Sequence, residues 1–250
     1  MRDLARYASL SGQTVFMTGG ASGIGAEIVR GFVQQGARVG FVDFDEAGSA
    51  EMKEETGASY QVADLRDIAA LKTAFANLID EVGAPKVLVN NAARDDRHGW
   101  ESVTEEYYDE RIASNLRHMF FATQACAPAM IEAGQGGSII NMGSNSWWEK
   151  SGGMPVYTTS KAAVHGMTRS FARDLGPHRI RVNTVVPGWI MTERQKELWV
   201  TEEALNAHLS NQCTPDPIEP DEVAQMVLFL ASDAASACTA SNFFVEAGSI

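Results

Sequence analysis

Seven short runs rich in β-branched and apolar residues recur along the chain, each separated from the next by a stretch long enough to hold a helix. They read "TVFMTGG", "ARVGFVD", "SYQVADL", "KVLVNNAA", "GSIINMGS", "IRVNTVVPG" and "NFFVEAG". Most are apolar at consecutive rather than alternate positions, so the sheet they form must be covered on both faces. The intervening stretches, among them 26–35, 68–82, 104–133 and 155–175, are amphipathic at helical spacing. This alternation predicts a parallel sheet with right-handed crossovers, a doubly wound α/β fold of seven strands. The alternation breaks once. After "VVPGWIMT" come two helical segments, 193–209 and 220–231, before the last strand. The first is irregular and rich in Glu, Gln, Trp and Asn, and a lid over a substrate is expected around 190–215.

At 250 residues the chain can bury about 75% of its unfolded surface around one core. No linker or low-complexity run divides it, so 1–250 is expected to form a single domain. Its net charge of −12, with no basic stretch to offset it, argues against nucleic acid and anionic membranes as partners. Its apolar runs fall short of the roughly 20 residues a membrane span needs. The opening "MRDLARYASLSG" lacks an apolar signal core, and Cys126, Cys213 and Cys238 are odd in number and widely spaced. Both features point to reduced thiols in the cytoplasm. The five histidines fall in no ligand spacing, so no metal site is expected.

The first strand ends in "TGGASGIG", with Gly19, Gly23 and Gly25 at the mouth of a helix. Glycines there let the backbone turn and approach a pyrophosphate, while the helix start supplies amide donors. The spacing differs from GxGxxG, and an ordinary glycine-rich turn is the competing reading. About 20 residues further on, the second strand ends at Asp43, where a carboxylate can accept ribose hydroxyls. As a common turn former, Asp43 also has a plain structural reading. Asp64, after the third strand, suits an adenine amino group, although Asp64 or Asp67 could equally cap the next helix. Tyr157 and Lys161 stand four residues apart and share one helix face.

In this order and spacing, "TGGASGIG", "VLVNNAA", "IINMGS", "YTTSK" and "VVPGWIMT" resemble the short-chain dehydrogenase/reductase family over essentially the whole chain. The likeness implies a catalytic set of Asn115, Ser144, Tyr157 and Lys161. It implies a dinucleotide held by Gly19, Ser22, Gly23, Ile24, Gly25, Asp43, Phe44, Asp64, Leu65, Asn91, Ala92, Tyr157, Lys161, Pro187, Gly188, Ile190 and Thr192. It also implies a homotetramer, and "NNAA" departs from the family's usual NNAG at Ala93. "DDRH", "NLRHM", "GSNSW", "TERQ" and "VLFLASDAAS" look like the bacterial aldose 1-dehydrogenases of the family, which oxidise a free sugar to its lactone. A dehydrogenase of a deoxy-keto sugar acid, a 3-oxoacyl-carrier-protein reductase and a non-catalytic dinucleotide sensor share parts of the pattern.

On this resemblance Tyr157 takes the hydroxyl proton, helped by the Lys161 ammonium and the positively charged nicotinamide, which together are expected to outweigh the cost of burying a phenolate. Ser144 orients the reacting oxygen. Asn115 sits inside a helix, where its propensity is poor, and is expected to mark a local irregularity holding a proton-relaying water; a solvent-facing residue is the alternative. Arg94, Ser144, Asn145, Ser146, Trp147, Tyr157, Arg194 and Gln195 are expected to line a sugar pocket. Trp147 is read as its wall, while Trp148 turns away into core or interface. Asp43, with Phe44 and Ser22 where basic residues would serve a 2′-phosphate, predicts NAD over NADP by roughly ten- to a thousandfold.

Overall fold

The computed structural model describes residues 5–250; the first four residues, part of the stretch read against a signal segment, lie outside the described ones. Strands β1 (Thr14–Thr18), β2 (Arg38–Asp43), β3 (Ser59–Val62), β4 (Val87–Asn90), β5 (Gly137–Met142), β6 (Ile180–Pro187) and β7 (Asn242–Val245) form one sheet. Its order is β3-β2-β1-β4-β5-β6-β7, and every pairing is parallel. Parallel neighbours need crossovers, and these are supplied by α1 (Gly23–Gln34), α2 (Glu46–Thr56), α3 (Ile68–Val82), α4 and α5 (Glu105–Ile112, His118–Ala133), α6 (Pro155–Leu175) and α9 (Pro220–Ala231).

Successive strand side chains feed opposite faces of the sheet. Val15 and Met17 join Ile28 and Phe32 of α1 and Val227 and Leu228 of α9 in one core. Phe16, between them, joins Leu71, Phe75 and Leu78 of α3 and Cys126 of α5 in the other. Full burial of each such large side chain contributes about 1.5–3 kcal/mol. Asp67 caps α3 by accepting the amides of Ala69 and Ala70, so the capping role considered for it holds.

The stretch 104–133 is helical throughout, but five residues, Ala113–Arg117, form a π-helical turn between α4 and α5. The segment expected to run from 193 to 209 breaks into α7 (Glu193–Leu198) and α8 (Glu202–Leu209), because Trp199 and Val200 leave the helix and Thr201 caps a new one. Its two ends meet where Ile190 bridges Ile218. The last residues fasten it as well, since the Cys213 amide donates to the Ala247 carbonyl at 2.9 Å.

The chain runs outward from β1 to β3, then returns to lay β4 on the other side of β1. That reversal opens a crevice at the carboxyl ends of β1 and β4. Helix α1 approaches it so closely that a Cβ on Gly25 would stand 1.7 Å from the Gly19 carbonyl oxygen. Gly25→Ala is therefore expected to push α1 off the loop at a cost on the order of 1–3 kcal/mol. Thermal unfolding should show a melting temperature several degrees lower, and an unchanged one would mean that the helix start is not pinned.

Candidate active site

The crevice holds a cleft of about 640 Å³ that runs from Asp43 and Phe44 at the end of β2 to Ser144, Tyr157 and Lys161 beyond β5. At one end the Asp43 carboxylate is held in place by the Ala21 amide at 3.0 Å and the Asp45 amide at 3.1 Å. Asn91 clamps the glycine loop by donating to the Gly19 carbonyl at 2.7 Å. Thr18 accepts the amides of Asn91 and Ala92, so the ends of β1 and β4 are fixed to each other. The strand reversal, the anchored carboxylate and the length of the cleft fit an extended dinucleotide.

At the other end Tyr157 and Lys161 lie on one face of α6, with the Lys161 Nζ 5.7 Å from the centre of the phenol ring. Helix α6 is tied to the sheet by buried polar contacts. Asn141 donates to the Thr168 hydroxyl at 2.9 Å, and the Thr184 hydroxyl donates to it at 2.8 Å. The start of α6 is capped from outside, because the Val156 amide donates to His98 Nε2 at 3.2 Å. His98 therefore carries its proton on Nδ1, facing the Asp96 carbonyl at 2.9 Å and the Tyr107 hydroxyl at 3.0 Å.

Lys161 is fully buried, donates to the Met142 carbonyl at 2.8 Å, and is pushed down to about 7 by burial, against which the Asp95 charge acts. Tyr157 moves the other way: burial and then Asp95 raise it, while its hydrogen bond with Ser144 and the Arg97 charge oppose the rise. The Lys161 ammonium alone does not offset the burial of the phenol; the expectation also counted the charge of the nicotinamide. Among the chain's own groups desolvation outweighs the opposing charges, at the half-buried Tyr157 as at the buried Lys161. Beneath them His118 is held neutral, its pKa pushed to about 3 by burial and then by Lys161. Its Nε2 donates to the Ala92 carbonyl at 2.9 Å.

Asn115 is buried on the π-helical turn and does not reach the cleft wall. Its side chain accepts the Arg94 amide at 2.7 Å and donates to the Arg94 carbonyl at 3.0 Å. The expected irregularity is present, and the solvent-facing alternative is excluded.

The family model described as "Enoyl-(Acyl carrier protein) reductase" matches residues 19–249. The chain belongs to the short-chain dehydrogenase/reductase family. A D-xylose 1-dehydrogenase of Caulobacter vibrioides is 47% identical over 249 residues, 98% of each chain. A protein of Rhizobium meliloti named "Probable galactose dehydrogenase" is 43% identical, over 98% of this chain and 97% of its own. Among solved structures, a ligand-free aldohexose dehydrogenase from Thermoplasma acidophilum matches with a TM-score of 0.88 at 28% identity, over 97% of this chain and 96% of that one. Membership makes the chain a dehydrogenase acting on a CH–OH group and implies a nicotinamide dinucleotide as cofactor.

Of the residues expected at the site, all line the cleft except Gly23, Asn115 and Trp147. Gly23 stands at the start of α1 with φ +55° and faces Thr192. Trp147 is not a wall of the pocket, and the two indoles do not point apart. Trp147 stacks on Trp148 with ring centres 3.6 Å apart, and its Nε1 donates to His165 Nε2 at 3.2 Å. The 3₁₀ turn Asn145–Trp147, capped by Ser144, carries the indole away from the cleft toward this acceptor on α6.

The indole that does line the cleft is Trp189, whose Nε1 donates to Gln195 Oε1 at 2.8 Å. Gln195 in turn donates to Asp95 at 2.6 Å, and Arg194 is held by Asp96 at 2.5 Å. Asn145 donates to Glu149 at 2.7 Å and to the Ser249 hydroxyl at 3.0 Å. Sequence reasoning gave no site role to Glu149, Arg97 or His208, which also face the cleft. His208 lies on α8, and only the return of that segment over the sheet brings it against Trp189, ring centres 5.2 Å apart.

Alcohol oxidation needs a proton acceptor at the reacting hydroxyl, and falling pH re-protonates a raised phenol. Oxidation by this protein is therefore expected to speed up with rising pH from neutrality, and carbonyl reduction to slow. Tyr157→Phe should abolish both directions while dinucleotide binding, followed by fluorescence titration, persists. Substantial turnover by the variant would remove Tyr157 from the chemistry.

Proposed function

We propose that this chain is an NAD-dependent aldose 1-dehydrogenase, oxidising the anomeric hydroxyl of a small sugar to its lactone. The observation that carries this reading is the lining around Tyr157. Asp95, Asn145, Glu149, Gln195 and His208 present hydrogen-bonding groups on several sides, and Trp189 adds one broad apolar face. Such a mixture suits a neutral polyol. The relatives named as D-xylose and galactose dehydrogenases support the same substrate class. A sugar acid would need a cation for its carboxylate beside Tyr157, but Arg194 pairs with Asp96 and Arg94 turns toward Phe44. The net charge of −12 disfavours an acidic carrier protein as substrate.

When bound, the dinucleotide supplies the hydride acceptor. The chain's own residues hold the reacting hydroxyl between Ser144 and Tyr157 and take its proton on the Tyr157 oxygen. Lys161, beneath the phenol, holds the cofactor ribose and passes the proton toward the Asn115 turn. Asp43 accepts the adenosine ribose hydroxyls and selects NAD. The segment 190–215 serves as the lid, fastened through Gln195 and Arg194 to Asp95 and Asp96, with 1–250 acting as one catalytic unit. A homotetramer is the expected assembly, for which the partly exposed aromatics Tyr108, Phe120 and Phe244 offer apolar contact surface. A cytoplasmic location accords with three free cysteines, and no helix among the described residues is long and apolar enough to cross a membrane.

Turnover of D-xylose, L-arabinose, D-galactose and L-fucose with NAD tests the reading directly, and failure on all four would discard it. On the best sugar, Trp189→Ala is expected to raise KM by about tenfold. Trp147→Phe, outside the cleft, should leave that KM in place; the reverse pattern would return the pocket wall to Trp147.

A further inference from the structure

Arg94 stands on the loop after β4, yet its guanidinium carbon lies 5.5 Å from the centre of the Phe44 ring at the end of β2. The side chain thus reaches across the mouth of the cleft on the side of Asp43, away from Tyr157. Its backbone cannot drift, because both its amide and its carbonyl are bonded to the Asn115 side chain. Among the described residues no carboxylate pairs with Arg94, whereas nearby Arg66 is paired with Asp64 at 2.6 Å and with Glu110. Phe44 is 65% exposed and lines the same cleft, so the cation stands beside whatever group is held at the end of β2. A guanidinium both stacks on rings and bonds phosphate oxygens in pairs.

We infer that Arg94 is a cofactor-selecting residue: it closes over the adenosine end of the dinucleotide and weakens the exclusion of a 2′-phosphate by Asp43. The inference rests on the dehydrogenase reading above and moves Arg94 from the sugar pocket to the cofactor. Two fixed charges of opposite sign then flank the adenosine ribose. Asp43 accepts a hydroxyl and repels a phosphate; Arg94 attracts the phosphate and screens that repulsion. NAD is still preferred, but toward the lower end of the range that Asp43 alone would set.

The test is fluorescence titration of NADH and NADPH binding to the wild-type protein, Arg94→Ala and Arg94→Lys. The expected result is that Arg94→Ala weakens NADPH by about tenfold or more and NADH by less, as loss of one charge-assisted contact implies. Arg94→Lys should recover part of the NADPH affinity, since it restores the charge without the planar fork. Folding is not at stake, because Arg94 holds Asn115 through its backbone; matching melting curves would check this. Equal affinities of wild type and Arg94→Ala for both dinucleotides would overturn the inference. So would a raised sugar KM with dinucleotide affinities unmoved. A wild-type protein that binds neither dinucleotide would instead refute the dehydrogenase reading on which the inference stands.

Discussion

The reciprocal pair between the Asn115 side chain and the Arg94 backbone sets the position of everything else at the site. A carboxamide can accept and donate at once, so one side chain replaces the strand partner that the loop after β4 has lost. It can do so only because the helix widens into a π turn at 113–117 and turns Asn115 inward. With Arg94 fixed, the next residues fall into place. Asp95 and Asp96 hold Gln195 and Arg194, and His98 caps the helix that carries Tyr157 and Lys161. Arg111, nearly buried, secures Asp96 from behind at 2.6 Å. One loop of eight residues, 91–98, thereby joins the glycine loop, helix α6 and the segment over the cleft.

Burial then sets the chemistry. Tyr157 and Lys161 are driven in opposite directions by loss of water, so each is biased toward its neutral form. Moving a proton from the phenol to the amine separates charge, so the Ser144 hydrogen bond and the Asp95 charge bear on where it sits. Neutral His118 below them adds no further cation to that environment. Asp95 has a double part, as the anchor of Gln195 and as the carboxylate whose charge both Tyr157 and Lys161 feel.

Much of this was legible in the sequence because it depends on local order. Strands apolar on both faces, the glycine turn, the carboxylate at the end of β2 and the four-residue step from Tyr157 to Lys161 all follow from spacing along one element. The irregular helix at Asn115 was legible only through the family resemblance. The misreadings concern direction. Trp147 is next to the site in sequence, yet its indole N–H found an acceptor on the opposite side, in His165. At Tyr157 the weight of desolvation was likewise not legible, since it is a property of the surrounding packing and not of neighbouring residues.

The sequence by itself determined the doubly wound sheet and the crevice at its reversal, and through the family resemblance it named the candidate reacting groups. Short-range periodicity and backbone geometry specify the sheet and its crevice without reference to distant residues. Only the tertiary structure decided which indole faces the cleft, which carboxylates fasten the segment after β6, and that Arg94 turns toward Phe44. Each of these depends on groups far apart in sequence, such as Gln195 and Asp95 or Asn145 and Ser249. A side chain's direction is settled by whichever partner satisfies its polar atoms once water is gone, and that partner is known only when the chain has closed.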